Sequence, residues 1–323
     1  MQSPMGLIFR FILLIVLTDP ARCGTLYATD FSEFPVGDNL WAGTGGWASN
    51  DVVSGAQGII ANPVANLPIP KAGYLGFDRP ASRFTTVFRS FNHDPVATGL
   101  SIIYFESLLG VQDSTNGFRD RFNISFYNSN GNFLAGLVFD NNSGLIRRDD
   151  GISVHSTGVK FLVGDPILGL AALQILELRI DLVANTWSGE IDGIPLFDRV
   201  PFTATVRPRI LGPVAAEWQV AALSTLSAGN NWLLVADWLV GAMPAAPFSI
   251  GSIQRVTNQT TLKWPGHAGF EYQVRYSPNL VDWQENLPNS TFRPVTDGVL
   301  SFTDGSPAQP LSRFYQVRRI FAR

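Results

Sequence analysis

Cysteine is nearly missing from this chain: Cys23 stands alone among 323 residues, beside three histidines and three methionines. A disulfide framework within one molecule is therefore excluded. The histidines, at 93, 155 and 267, show no H-x-x-x-H or H-x-H spacing, so no zinc-ligand pattern exists. Charge is scarce as well, at 15% with a formal net charge of -3, and no Lys/Arg-rich stripe is present to neutralise phosphates. Nucleic acid is not an expected partner. No G-x-S-x-G stretch supports a serine hydrolase, and Asp94 in FNHDP reads as turn chemistry before Pro95. Long apolar runs are missing too: the stretch Leu7 to Leu17 is interrupted by Arg10 and falls short of the ~20 residues a spanning helix needs.

What is present is apolar and turn-rich. Hydrophobic residues make up 46% of the chain, with 30 glycines, 21 prolines and 23 phenylalanines. That composition fills cores and marks short strands between turns, so an all-β protein is expected, long enough for two domains. Arg10, the run FILLIVL and Ala21-Arg22-Cys23 read as a secretory signal cut after Cys23. The mature chain would then carry no thiol, no membrane span and a slightly more acidic balance. A lipid-modified Cys23 is the rival reading, against which Arg22 stands where a lipobox takes a small residue. The expected location is secreted or cell surface.

Along the chain, FNISFYNSNGNFLAGLVFD predicts a hairpin, with Phe122, Ile124 and Phe126 on one face and the turn at Asn128 to Asn132. DNNSG (Asp140 to Gly144) and Asp149-Asp150-Gly151 are further turns flanking the short strand LIRR, as in a meandering antiparallel sheet. In LELRIDL, Leu178, Ile180 and Leu182 alternate with Glu177, Arg179 and Asp181, one face buried and one wet. A helix through Ala171 to Glu177 is the competing reading. The small-residue stretch GAMPAAPF, Gly241 to Phe248, predicts a domain boundary, beyond which Thr261 to Trp264, Glu271 to Tyr276, Val299 to Thr303 and Phe314 to Arg318 read as strands.

WSGEIDGIPLFD contains the one stretch that looks catalytic, because Glu190 and Asp192 echo the E-x-D-x-x-E strand of sugar-cleaving β-sandwich enzymes. A retaining glycosidase needs two carboxyls about 5 Å apart. Here, however, Asp192-Gly193 is a two-residue turn signal, since a type I′ turn needs φ > 0 at both central residues. With that turn Ile191 faces Ile194 and Glu190 faces Pro195, where the enzyme pattern wants its second glutamate. Asp192 is expected to be a turn residue, and no catalytic residue is assigned.

The segments ELRIDLVANTWSGEIDGIPLF and GNNWLLVADWLVG resemble the concanavalin A-like (laminin G-like) jelly-roll domains, in which a D-G hairpin and a closing strand near the N-terminus recur. The segment TLKWPGHAGFEYQVRYSPNLVDWQENLP with RFYQVRR resembles a fibronectin type III-like module, with Tyr272, Val274 and Tyr276 as core strand residues over Trp283. Together they are similar to uncharacterised exported bacterial proteins. The resemblance implies residues 1–23 as signal peptide, 24–243 as a concanavalin A-like β-sandwich, 244–249 as linker and 250–323 as a smaller fibronectin type III-like β-sandwich.

Two candidate sites remain. QDSTNGFRDRF is the most oxygen-rich loop, and Asp113, Asn116 and Asp120 are candidate Ca²⁺ ligands there; otherwise no cofactor is expected. Trp41 and Trp47, among glycines and polar residues, are candidates for stacking on a sugar ring, or they close the sandwich edge. The expected function is a non-enzymatic protein binding an extracellular polysaccharide or cell-surface ligand. A purely structural protein and a secreted glycoside hydrolase or lyase are the alternatives, the last to be revived by two close carboxyls in a cleft.

Overall fold

The structure, a computed structural model, describes residues 24–63, 69–164, 172–244, 250–256, 259–266, 270–278, 284, 287–294, 298–305 and 313–321. The expected signal segment and all but one residue of the expected linker lie outside these. Two compact units are present, one spanning Cys23–Ala245 and the other containing Ala246–Arg323.

The first unit is a β-sandwich of jelly-roll type, built among the described residues from a seven-stranded antiparallel sheet and an eleven-stranded one that is antiparallel except for the short strand Val163–Gly164, which pairs parallel with Ile102–Gln112. Four consecutive strands, Arg121–Asn128, Phe133–Asp140, Leu145–Asp149 and Val154–Lys160, form the expected meander in the smaller sheet. Beside the first of them run Leu211–Gln219, Phe84–Arg89 and Trp47–Ser49. The larger sheet is organised around the long strand Ile102–Gln112. On one side it pairs with Gln174–Asp181, followed outward by Thr186–Ile191 and the edge strand Ile194–Pro201. On the other it pairs with Trp232–Val235 and then Trp238–Met243, the latter bringing in the N-terminal strand Gly24–Thr29. Gln174–Asp181 is a strand, not the start of a helix.

Period-two alternation decides what meets between the sheets. Phe122, Ile124 and Phe126 point inward from one sheet; Ile103, Phe105 and Leu109, with Leu178 and Ile180, point inward from the other. Phe105 joins the two layers edge-to-face, with Phe126 at 5.8 Å and Trp238 at 4.8 Å. Each such side chain contributes about 1.5–3 kcal/mol by leaving water, which is how a domain without disulfides holds its layers together.

In the second unit Ser252–Val256, Gln259–Gly266 and Gly298–Asp304 form one sheet, and Thr291–Phe292, Phe270–Ser277 and Phe314–Phe321 another. Trp264 of the first packs at 5.2 Å on Phe292 of the second, with Tyr272 and Val274 buried beside them. Trp283 and His267 lie outside the described residues.

Candidate functional site

The E-I-D stretch folds as a hairpin. Asp192 and Gly193 both have positive φ, 49° and 75°, and the register pairs Ile191 with Ile194 and Glu190 with Pro195. Pro195 sits where its missing N–H does least harm, on an edge strand beside a register shift. The Asp192 carboxylate accepts from Gln174 Nε2 and the Ile175 amide, both at 2.8 Å, tying the turn to the neighbouring strand Gln174–Asp181.

Glu190 has a different neighbourhood from the one its own strand suggests. It is paired across the sheet with Glu177, and Glu177 is paired in turn with Glu106. Two carboxylates from consecutive strands and one from the distant strand Ile102–Gln112 thus form one row on the outer face, with about 5 Å between adjacent strands. The Tyr104 hydroxyl lies 2.7 Å from Glu106 Oε2 and also contacts Glu177 Oε1. A phenol has a single proton, so it serves one carboxylate at a time. Burial, then Glu177 and Glu106, hold the Tyr104 phenol far above the usual tyrosine range. The adjoining cleft, about 440 Å³, is lined by Tyr104, Glu177, Arg179, Ser188, Glu190 and Phe197 among others.

The outer face of the seven-stranded sheet carries a second carboxylate of another kind. Glu217 belongs to a strand whose alternate residues Val214, Ala216 and Trp218 are buried in the core. Although it faces the other way, Glu217 is only 7% exposed. It accepts from Ser125 Oγ at 2.8 Å, from Asn123 Nδ2 at 3.4 Å and from the Tyr127 hydroxyl. Burial and then Glu217 raise the Tyr127 phenol well above its ordinary value. Ala215, Ser125 and Gly136 lie side by side as a floor of small residues. A methyl on Gly136 would stand 3.0 Å from the Ile124 carbonyl oxygen and 3.3 Å from Ser125 Oγ, so a side chain here would crowd the floor. The resulting groove of about 210 Å³ is lined by Phe84, Phe133, Asn123, Asp149, Glu217 and Gln219 among others. One sequence signal was available for it, Glu217 and Gln219 alternating with apolar residues in the run VAAEWQVAA.

The residues singled out from sequence are placed elsewhere. Trp41 and Trp47 are buried and packed on each other at 5.3 Å, on Phe31 and on Trp238, so neither offers a ring face to a sugar; they close the sandwich edge. In the oxygen-rich loop Asp113 is paired in a fork with Arg119, both bonds 2.8 Å, and Asn116 bonds Ser114, Phe118 and Ala228. Asp120 is buried and accepts from Trp218 Nε1, the amides of Ala221 and Gly229, and Asn231 Nδ2. Three of these donors converge on Oδ2 and one on Oδ1, so Asp120 serves as a buried brace that ties the loop to residues 218–231. Among the described residues no group of three or more His, Cys, Asp or Glu side chains is arranged to hold a metal. His93 is buried against the Leu100 carbonyl, and Asp94 caps the single turn Pro95–Thr98.

No family model and no curated protein matches the sequence. Among solved structures the chain is similar to a sialidase, at 10% identity and a TM-score of 0.42 over 66% of this chain and 18% of that one. It is also similar to a carbohydrate esterase from a Shiga toxin-encoding bacteriophage, at 11% identity and 0.44, over 68% and 99% of the two chains. A cellulose induced protein, Cip1, overlaps at 9% identity and 0.44, again over 68% and 99%. Overlap at this level carries no functional argument, and the fold stands on the strand order described above. No helix among the described residues is long and apolar enough to cross a membrane, which says nothing of a β-barrel.

Proposed function

We propose that the large unit binds a neutral extracellular glycan in the Glu217 groove. The observation that carries this is a nearly buried carboxylate on a sheet's outward face, held by a serine, an asparagine and a tyrosine and, among the described residues, by no ion pair. A carboxylate accepts and never donates, so its natural ligand presents hydroxyl donors. The apolar rings of Phe84 and Phe133 supply surface for the C–H face of a sugar ring, and Asn123 and Gln219 add amides that both donate and accept. Glu217 and Asp149 oppose anionic polymers. Binding rather than hydrolysis fits this groove, because the row that pairs with Glu217 across the sheet, Thr86, Asn123, Val138 and Arg147, holds no second carboxylate to share acid and base roles. Secretion to the cell exterior, and a fibronectin type III-like spacer role for the second unit, belong to the same proposal. Glu217→Ala in the full chain, assayed on an array of neutral oligosaccharides, is expected to lose binding at least tenfold; unchanged binding would remove the groove from consideration.

The Glu106–Glu177 pair favours a second reading, a glycoside hydrolase, since these carboxyls are register partners on adjacent strands beside a cleft. Release of reducing ends from a glycan by the wild type, abolished in Glu177→Gln, would make it the leading one.

A further inference from the structure

The outer face of the larger sheet also exposes an aromatic pair that folding alone does not explain. Phe77 is 56% exposed and has φ 71°, a backbone region in which side chains other than glycine are strained. It sits at the apex of a three-residue turn closed by the Asp78 amide on the Gly76 carbonyl, 2.9 Å. Its own amide donates to the Asn231 carbonyl at 3.0 Å. Asn231 is fully buried and is itself clamped by its side chain to Asp120 and Asn141. The brace found in the oxygen-rich loop therefore supports this turn. The Phe77 ring meets half-buried Trp232 at 5.9 Å, and Trp232 meets Tyr74 at 6.3 Å. Beside them stand two carboxylates: Asp38 is bonded by the Tyr74 hydroxyl, and a methyl on Gly55 would lie 3.1 Å from Asp78 Oδ2 and 3.9 Å from Asp38 Cγ. A strained backbone and a solvated phenyl ring are both unfavourable, and a glycine at position 77 would relieve both.

We propose that Phe77 and Trp232 form a stacking platform for a pyranose ring of a neutral glycan, with Asp78 and Asp38 accepting its hydroxyls. Each ring offers its own flat apolar face, and the two are inclined at 53° to one another, so a sugar ring stacks on one and leans on the other. The carboxylates are acceptors only, so they select ligands rich in hydroxyl donors and oppose acidic sugars. The rigid anchor through Asn231 presets the geometry before binding. This site is separate from the Glu217 groove, lies on the other sheet, and rests on the reading of the protein as a glycan binder.

The test uses the full chain with Phe77→Gly, Trp232→Ala and Glu217→Ala on the same array of neutral and acidic oligosaccharides, with thermal melting of each. Phe77→Gly is expected to melt no lower than the wild type while losing at least tenfold in affinity for a neutral oligosaccharide, and Trp232→Ala to lose as much. If Glu217→Ala loses binding and Phe77→Gly does not, the platform is refuted and the groove stands. If only the platform variants lose binding, the platform stands and the groove falls. A melting temperature for Phe77→Gly several degrees below wild type would show that the ring serves packing and would overturn the proposal. So would a wild type that binds no neutral oligosaccharide, which would overturn the glycan reading with it.

Discussion

The two outer faces of the sandwich use the same pair of residue types, tyrosine against glutamate, toward different ends. On the seven-stranded sheet Tyr127 and Ser125 hold one carboxylate at the bottom of a groove. On the larger sheet Tyr104 lies between two carboxylates that are register partners of each other. A lone, well-held acceptor suits recognition, because it presents a fixed lone pair and has no partner with which to divide acid and base roles. Adjacent carboxyls at strand spacing have the separation that bond cleavage requires. What separates the faces is register, the number of glutamates that fall opposite one another, rather than any difference in composition.

Where the faces agree, the expected effect is largest. Tyr104, Tyr127 and Tyr74 are all raised above the ordinary tyrosine value, by burial first and by neighbouring carboxylates second. The unfolded chain ionises these phenols near pH 10, whereas the folded chain keeps them neutral. Their contribution is thus complete below about pH 10 and declines above it, by about 1.4 kcal/mol per pH unit for each tyrosine. Urea midpoints of the large unit between about pH 9 and about pH 11.5 should fall steeply. Tyr104→Phe and Tyr127→Phe should each flatten the slope by one tyrosine's share; a slope unaffected by either would dissolve the similarity.

Where the faces differ, the effect is smaller. Glu217→Ala leaves Tyr127 and Ser125 without their acceptor in a buried setting and should cost about 1–3 kcal/mol. Glu190→Gln, at the end of the acidic row, removes a like charge facing Glu177 and should change stability by less than about 1 kcal/mol. Equal losses in chemical denaturation would mean that the carboxylates are held alike. Gly193→Val tests the turn that sets Glu190 opposite Pro195. A Cβ there meets nothing within 4 Å, so the cost comes from backbone strain only, about 1–2 kcal/mol. Calorimetry should place it in the large unit's transition while the second unit melts as before. Smallest of all, calcium should leave the melting of the large unit unchanged, since Asp113 and Asp120 are engaged by Arg119 and by four donors. A calcium-dependent rise would reassign that loop.

Features that depend on near neighbours along the chain were legible in the residues themselves. Alternation placed Phe122, Ile124 and Phe126 in the core, because a strand's side chains change face at every residue. Asp192-Gly193 specified its turn, because the residues flanking a two-residue loop are fixed by the loop itself. Tertiary structure alone decided what depends on residues that are distant along the chain. Testing Glu190 against positions on its own strand shows no second carboxyl, whereas pairing of three strands sets Glu177 and Glu106 in its row. Trp41 and Trp47, set among glycines and polar residues, allowed both a sugar platform and closure of the sandwich edge; Phe31 and the returning Trp238 decided it by burying them. The sequence gives no sign that Phe77 stands exposed with positive φ, in a turn whose amide is tied to Asn231, 154 residues away. Local rules fix faces and turns; which faces meet, and which carboxylates become neighbours, is settled only when the sheets assemble.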